Sequence, residues 1–375
     1  MTEIYLIRHA QAEGNLYRMM QGHWDGDVTD VGLRQIDALA KRFKNVKIDA
    51  VYSSDLYRAR LTASAITRYH ELPLVTTPLL REINVGPWET LFFGNVFHDE
   101  PEKAELFIHD PANWRIDGAE TYAEVARRAY GALADIAREN DGKSVAVVSH
   151  GVTLRCLLAK ITGTDLKSTA ELPICRNTAV SKLSWSDGRF TAEYTNDFSH
   201  IVPLGLSQWS KTGDLRDEPF EPEGDRAWYE ACYADAWLSA HGSLDGFSPA
   251  AYYESAAEHY RRDSGAVMKI FSADEAVGLI DLDTAHGEHA GFGWISFLYL
   301  KPEYRFQGYG VQLLGRAVAK YSALGRRALR LHVAEGNAPA VAFYRRFGFE
   351  TLSFETRRTG KLLLMEKKLG GRRNA

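Results

Sequence analysis

Two histidines stand at the ends of two apolar runs: Arg8-His9-Ala10 follows Ile4-Tyr5-Leu6-Ile7, and Ser149-His150-Gly151 follows Val145-Ala146-Val147-Val148. Both runs read as buried strands, and open α/β sheets keep their ligands at the carboxyl ends of strands, so one pocket can hold both imidazoles. A lone histidine at a strand end is more often structural than catalytic, so the weight falls on its companions. These are Asn15, Arg58 within Ser53-Ser54-Asp55-Leu56-Tyr57-Arg58-Ala59, and Glu82 and Glu89 on either side of Gly86-Pro87-Trp88. One nucleophile, two guanidiniums, a second imidazole and a carboxylic acid are what phosphoryl transfer to water needs, because most of the work is positioning and charge stabilisation around phosphate oxygens. Arginine suits the clamp through its planar fork. A histidine nucleophile must be neutral to attack, and nearby arginines disfavour an imidazolium.

The ordered set Arg8-His9, Ser54-Asp55-Leu56-Tyr57-Arg58-Ala59, Leu80-Arg81-Glu82 and Ser149-His150-Gly151 resembles the histidine phosphatase (phosphoglycerate mutase-like) superfamily over roughly residues 1–200. Gln21-Gly22 followed by Thr29-Asp30-Val31-Gly32 adds to the likeness. The resemblance implies a phosphoglycerate mutase-like α/β/α sandwich in which His9 becomes phosphorylated. Arg8, Arg58 and His150 would bind the phosphoryl group, Asn15 would assist, and Glu82 would protonate the leaving oxygen. Two positions depart from the pattern: Ala10 and Thr90 stand where glycine is common. Ala10 puts a methyl where a ligand approaches backbone closely, which would narrow the pocket or shift the loop. The stretch from Glu89 to Gly118 reads as short and irregular, unlike a mutase's substrate cap, and this favours a phosphatase. Trp24, Trp88, Trp114 and Phe107 either line a leaving-group pocket or pack in the core, the commoner fate of such residues.

A second set lies near the other end. Leu298-Tyr299-Leu300 closes a strand and leads through Lys301-Pro302-Glu303-Tyr304 into Arg305-Phe306-Gln307-Gly308-Tyr309-Gly310, after which Val311, Leu314 and Val318 continue at helical spacing. Glycines that free backbone N–H groups, ahead of a helix N-terminus, suit a phosphate cradle, although a plain strand-to-helix turn is the commoner meaning. With Asn337, Phe343-Tyr344 and Gly348-Phe349 downstream, residues 225–370 resemble the GNAT (Gcn5-related N-acetyltransferase) family, an α/β domain with a mixed sheet. The resemblance implies acetyl-CoA as co-substrate and an amine as acyl acceptor. The Leu298 and Leu300 backbones would meet the pantetheine arm, Arg305, Gln307, Gly308, Tyr309, Gly310 and Asn337 would bind the cofactor, and Tyr344 would protonate the departing thiolate. Phe306 takes a position often filled by a small or basic residue. No general base is identifiable: Asp281, Asp283, Glu288 and His289 precede the central strand, each more often a solvated loop residue, and a water can serve.

The elements that position these groups are legible in outline. Alternating strand and helix signals to Pro203 predict a largely parallel sheet. Thr29 opens a helix carrying Leu33, Ile36, Ala40 and Phe43, and the capping box Thr121 to Glu124 opens another running to about Glu139. Ser186-Asp187-Gly188-Arg189 predicts a hairpin between strands at 179–183 and 190–194. Pro and Gly among charges over residues 204–224 read as a linker between a phosphatase domain, 1–203, and an acetyltransferase domain, 225–375. In the second domain, helices are expected at 226–241 and 249–262, strands at 267–271, 277–282 and 293–300, then a helix, a strand at 329–333 and another helix.

At 375 residues the chain suits two domains. Residues 1–203 hold 23 Lys and Arg against 27 Asp and Glu and the remainder 22 against 22, so neither half has the basic surplus of a nucleic-acid binder. No apolar run suits a membrane span, no export signal is visible, and a cytoplasmic location is expected. Cys156, Cys175 and Cys232 have no metal-ligand spacing, and no metal is expected. The reading is of a bifunctional enzyme: phosphomonoester hydrolysis of a small molecule, and acetyl transfer to an amine. Its rivals are a phosphatase governed by a non-catalytic acyl-CoA sensor, and a phosphoprotein phosphatase. The oligomeric state is not legible.

Overall fold

The computed structural model describes residues 1–172, 175–207, 213–357 and 360–370. The chain divides into two compact units, Met1–Leu91 with Val96–Ser210 and Phe92–Asn95 with Lys211–Ala375.

The first unit is built on a six-stranded mixed sheet. Its strands are β1 (Thr2–Arg8), β2 (Ala50–Ser54), β3 (Leu74–Thr77), β4 (Ser144–Ser149), β5 (Val180–Ser186) and β6 (Arg189–Asp197), in the order β3-β2-β4-β1-β5-β6. The first four are mutually parallel, and β5 and β6 run antiparallel. Strand β4 is buried along its whole length, as its run of β-branched residues requires of a central parallel strand. The helices are α1 (Glu13–Tyr17), α2 (Asp30–Phe43), α3 (Tyr57–His70), α4 (Phe93–Asp99), α5 (Pro101–His109), α6 (Tyr122–Glu139) and α7 (Gly151–Thr162). Two separate cores flank the sheet: one gathers Leu133, Ile136, Leu154 and Leu157 with Ile4, Leu6, Val145 and Val147, the other Ile36, Leu39, Phe43 and Ile66 with Ile7, Val51, Val148 and Ala146. Alternate residues of each central strand thus feed opposite layers.

Local signals act as their chemistry demands. Thr29 accepts from the Gly32 N–H, and Thr121 and Glu124 form the reciprocal capping box that starts α6. Asp187 and Gly188 both have positive φ, 52° and 75°, which a two-residue hairpin turn between right-twisted strands requires. The stretch after Glu89 is not irregular, since α4 and α5 occupy it.

The second unit holds a seven-stranded mixed sheet: β7 (Arg216–Pro219), β8 (Val267–Ser272), β9 (Glu275–Asp283), β10 (Phe292–Leu300), β11 (Ala328–Ala334), β12 (Glu350–Arg357) and β13 (Gly360–Lys368), ordered β12-β13-β11-β10-β9-β8-β7. Only β10 and β11 pair in parallel. Its helices are α8 (Pro222–His241), α9 (Pro249–Arg262), α10 (Gly310–Ala323) and α11 (Ala338–Arg346). Strand β7 and the start of α8 fall in the segment read as linker, of which residues 208–212 lie outside the described ones. Charge and proline hid them: Arg-Asp-Glu-Pro has no strand signature, and Pro222 opens a helix at a position where its missing N–H costs nothing. Strands β12 and β13 also escaped the sequence reading, because β12 is an exposed edge strand of mostly polar residues. No helix among the described residues is long and apolar enough to cross a membrane.

Candidate functional site

Each of the four parallel strands of the first unit delivers a predicted residue to the sheet's carboxyl edge. Strands β1 and β4 are neighbours with Arg8 opposite Ser149, so the next residues, His9 and His150, emerge side by side with ring centroids 5.1 Å apart. Arg58 lies in the first turn of α3, after β2, and Glu82 follows β3 and the turn Pro78–Leu80. All are buried; Arg58 and His150 are 0% exposed.

His9 Nδ1 is 2.7 Å from the Ala10 carbonyl oxygen. A carbonyl only accepts, so Nδ1 carries the proton and the lone pair is on Nε2. Burial, then Arg58 and Arg8, holds the His9 imidazole well below its ordinary pKa; burial, Arg58, His9 and Arg8 do the same to His150. Both rings are therefore neutral near pH 7. Arg58 donates to the carbonyls of Trp24 (2.9 Å) and Gly22 (2.7 Å) and lies 3.6 Å from Asp25; burial brings its pKa down to about 10. Arg8 donates to the Cys175 carbonyl, and its guanidinium lies where a Cβ on Gly151 would meet it at 3.4 Å. Arg58 Nε and both His150 nitrogens are buried with no hydrogen-bond partner among the described residues. Buried donors of this kind call for an acceptor, and an anionic tetrahedral group supplies several.

Glu82 receives the N–H groups of Ile83 (3.1 Å), Val152 (3.1 Å) and Thr153 (3.0 Å) and the Thr153 hydroxyl (3.2 Å), so the N-terminus of α7 holds its carboxylate. Asn15 on α1 accepts the Ala12 N–H at 3.1 Å. In the layer around these groups, Arg128, Asn177 and Thr178 were not foreseen, and Glu89 was singled out without a role. Arg128 on α6 donates to the carbonyls of Leu79, Arg81 and Glu82 and pairs with Glu120, which fixes the loop carrying Glu82. Glu89 gathers the N–H groups of Gly22, His23 and Trp24, the loop that in turn receives Arg58. Asn177 and Thr178, at the start of β5, reach the His9 backbone. Because β5 runs antiparallel to β1, its first residues lie beside the last of β1; a hairpin closing an otherwise parallel sheet was the available signal.

One expectation changes, one alternative is decided and one departure is explained. The Ala10 side chain is fully buried in the core with Val28, Ile36 and Ala59, so its methyl does not line the pocket. Trp88 and Trp114 are 0% exposed and pack edge-on with Phe107 and Tyr122, which makes them core. Thr90 does adopt the conformation for which glycine is common, with φ 68°. Cys156, Cys175 and Cys232 are free and buried, and no set of three or more metal-ligating side chains comes together among the described residues.

In the second unit the decisive geometry is in the backbone. Parallel strands β10 and β11 pair only from Phe292–Trp294 to Ala328–Arg330, though both continue, to Leu300 and Ala334. Past a β-bulge between Ile295 and Phe297, the β10 edge carrying Leu298 and Leu300 has no strand beside it among the described residues, while its other edge pairs with β9. The loop after β10 turns through φ 60° at Phe306 and 94° at Gly308 into α10. The Phe306 ring, 88% exposed, stands in solvent. Gly310 packs closely as well: a Cβ there would meet the Phe343 ring at 3.1 Å.

Of the motif's side chains, Phe306 and Gln307 are exposed and Arg305, Tyr309 and Asn337 are half-buried. Arg305 donates to the Leu300 carbonyl (2.7 Å), to Ser239 (3.2 Å) and to Asp235, so it braces the loop against α8. Gln307 donates to the Glu303 carbonyl, Tyr309 is the residue that precedes α10, and Asn337 caps α11 through the Ala340 N–H. Tyr344 is half-buried between Phe343 and Phe349, and burial raises its pKa. Of the unassigned bases, Asp281 is not a solvated loop residue: it is 2% exposed and bonded to His259 Nδ1 (2.6 Å) and the Tyr229 hydroxyl (3.1 Å). Asp283 meets His259 Nε2 at 3.3 Å, Glu288 pairs with Arg326, and His289 is exposed.

Residues 4–198, more than half of the chain, match the histidine phosphatase superfamily (branch 1). The chain belongs to that superfamily. Residues 225–349 match the acetyltransferase (GNAT) family, so a histidine phosphatase domain and a GNAT domain share one chain. A probable phosphoglycerate mutase, GpmB, of Yersinia pestis (strain Pestoides F) is 31% identical over 213 residues, covering 56% of this chain and 99% of its own length. GpmB of Yersinia pseudotuberculosis (serotype O:1b) matches equally. Among solved structures, Bacillus stearothermophilus YhfR is 30% identical with a TM-score of 0.53, over 54% of this chain and all of its own.

Proposed function

We propose that the histidine phosphatase domain hydrolyses a small-molecule phosphomonoester through a phosphohistidine, and that the GNAT domain transfers acetyl from acetyl-CoA to an amine. The observation that carries the first half is the 2.7 Å bond from His9 Nδ1 to the Ala10 carbonyl, which leaves the lone pair on Nε2 beside His150 and the buried arginines. His9 Nε2 attacks phosphorus as the bond to the leaving oxygen breaks, and Glu82 gives that oxygen a proton. Water then attacks the phosphohistidine, returns a proton to Glu82, and the N–P bond breaks to regenerate neutral His9. Arg8, Arg58, His150 and Asn15 hold the phosphate oxygens in both steps, and none of these roles calls for a metal.

In the GNAT domain the open β10 edge at Leu298 and Leu300 suits an amide-rich arm, and the N–H groups from Gln307 to Gly310 at the start of α10 suit a pyrophosphate. Bound there, acetyl-CoA supplies an activated acyl group. Tyr344, kept protonated by burial, holds a proton for the departing thiolate. Arg305 and Asn337 support the loop and helix from within.

The test is mass spectrometry of phosphomonoesters and phosphorylated amines incubated with the protein, acetyl-CoA and a chelator, scoring phosphate loss and acetyl gain. Phosphate release that persists in His9→Ala sinks the first half; no acetyl gain on any amine sinks the second. Compounds that show both changes would place one metabolite at both sites. The likeness to GpmB favours a second reading, in which phospho-His9 passes its phosphoryl to another hydroxyl. Isomerised phosphoester without free phosphate would establish it over hydrolysis.

A further inference from the structure

Thr178 is a β-branched residue held at φ 58°, fully buried, next to the proposed nucleophile. The left-handed conformation is unfavourable for such a residue and persists only where its surroundings over-determine it. Those surroundings are specific. The Thr178 N–H donates to the carbonyls of Arg8 (3.1 Å) and His9 (3.4 Å). Asn177, 3% exposed, donates from Nδ2 to the same His9 carbonyl at 3.0 Å and to Asn15 Oδ1 at 3.4 Å. The other side of that peptide is held too, since the Ala10 N–H donates to Thr62 Oγ1 at 2.9 Å and Thr62 donates to the Arg58 carbonyl at 2.6 Å. The His9–Ala10 peptide is therefore clamped by its oxygen and by its hydrogen.

The clamp is itself anchored. The Thr178 hydroxyl donates to the Asn177 carbonyl at 2.7 Å and lies 3.2 Å from His200 Nε2. Arg42, which only donates, is 3.3 Å from His200 Nδ1, so Nδ1 accepts and Nε2 donates to the hydroxyl. Arg42 is fixed by Asp197 (2.7 Å) and the Tyr194 hydroxyl (3.3 Å). Every bond from α2 to the His9 carbonyl thus has a defined direction.

We propose that Asn177 and Thr178 are positioning residues for phosphoryl transfer. They orient the His9–Ala10 peptide, from which the His9 ring projects on one side and, one peptide further on, the Ala10 carbonyl that selects its tautomer; the strain at Thr178 follows from that task. The proposal rests on the reading of His9 as nucleophile.

Phosphoenzyme formation from 4-nitrophenyl phosphate, followed in single turnovers, tests it together with imidazole 15N shifts of the substrate-free protein and thermal melting. Asn177→Ala is expected to lose about ten- to a hundredfold in kcat with KM within about twofold, the scale of a displaced reacting atom, and to lose the single His9 tautomer. Thr178→Gly keeps the N–H and sheds the strain, so its Tm should rise while kcat falls at least about threefold. Thr178→Ser keeps both hydroxyl and N–H and should turn over like wild type. A filler role differs in turnover: Thr178→Gly that melts higher yet turns over as fast as wild type overturns the proposal, as does an Asn177→Ala protein with unchanged tautomer and kcat. A wild-type protein that never becomes phosphorylated on His9 overturns the underlying reading instead, and this proposal with it.

Discussion

The two units place their candidate chemistry in different parts of the polypeptide. In the histidine phosphatase domain it is in side chains: His9, His150, Arg8, Arg58 and Glu82 are buried and close, and all but the His150 ring are held by directional bonds before any ligand arrives. In the GNAT domain it is in the main chain, namely an open strand edge, a loop with two left-handed residues and a helix start. The motif side chains there, Arg305 and Asn337, are spent on holding that backbone. The difference teaches that a motif residue can matter by facing the ligand or by facing the fold, and that a sequence pattern does not say which.

The contrast predicts opposite sensitivities, and the largest effects come first. Replacing His9 with alanine removes the bond-forming atom, and phosphoester turnover should fall by about 10⁴ or more, measured as phosphate release. In the GNAT domain Gln307→Ala should leave acetyl-CoA affinity within about twofold by calorimetry. Gly308→Ala, which puts a Cβ on a residue at φ 94°, should weaken it at least about tenfold. If Gln307→Ala proved the more damaging, the backbone account of that site would be broken.

Buried histidines sharpen the comparison. His9 and His150 are held neutral among arginines, whereas burial of His259 is overcome by bonds to Asp281 and Asp283 that raise its pKa from 6.5 to about 9. A raised folded-state pKa gives stability that is complete below pH 6.5 and lost as pH climbs to 9. The transition assigned to the GNAT domain should therefore melt lower at pH 9 than at pH 6.5, and His259→Gln should flatten that slope. The imidazole 15N shifts of His9 should show no inflection near pH 6.5, because His9 is already neutral there; a midpoint at that value would refute the account of its environment.

What could be read beforehand follows the same line. The order Arg8-His9, Arg58, Glu82, Ser149-His150 was legible because each group closes an apolar strand or its following turn, and parallel topology collects such ends at one edge. Asn177, Thr178 and Arg128 were not, because they act through backbone carbonyls and arrive from an antiparallel strand and a helix. The parting of β10 from β11 leaves no residue signature, since Ile295-Ser296-Phe297-Leu298 reads as any strand. The aromatic positions were legible only as alternatives, ligand pocket or core, and Trp88 and Trp114 take the commoner one.

Left-handed non-glycine residues give the smallest and most exact test. Thr90 and Thr178 both belong to the phosphatase fold and both sit at positive φ, 68° and 58°. Thr178 is bonded to the nucleophile's backbone, whereas the Thr90 N–H donates to the Met20 carbonyl at 3.1 Å, a bond that glycine preserves. Thr90→Gly should therefore stabilise the phosphatase domain by about 1 kcal/mol through relief of strain, offset in part by the freer unfolded chain, and leave kcat unchanged. The same substitution at Thr178 should separate stability from turnover. Equal responses at the two positions would mean that strain near this site is incidental to catalysis, and unequal ones that only the residue touching the His9 peptide carries it for a purpose.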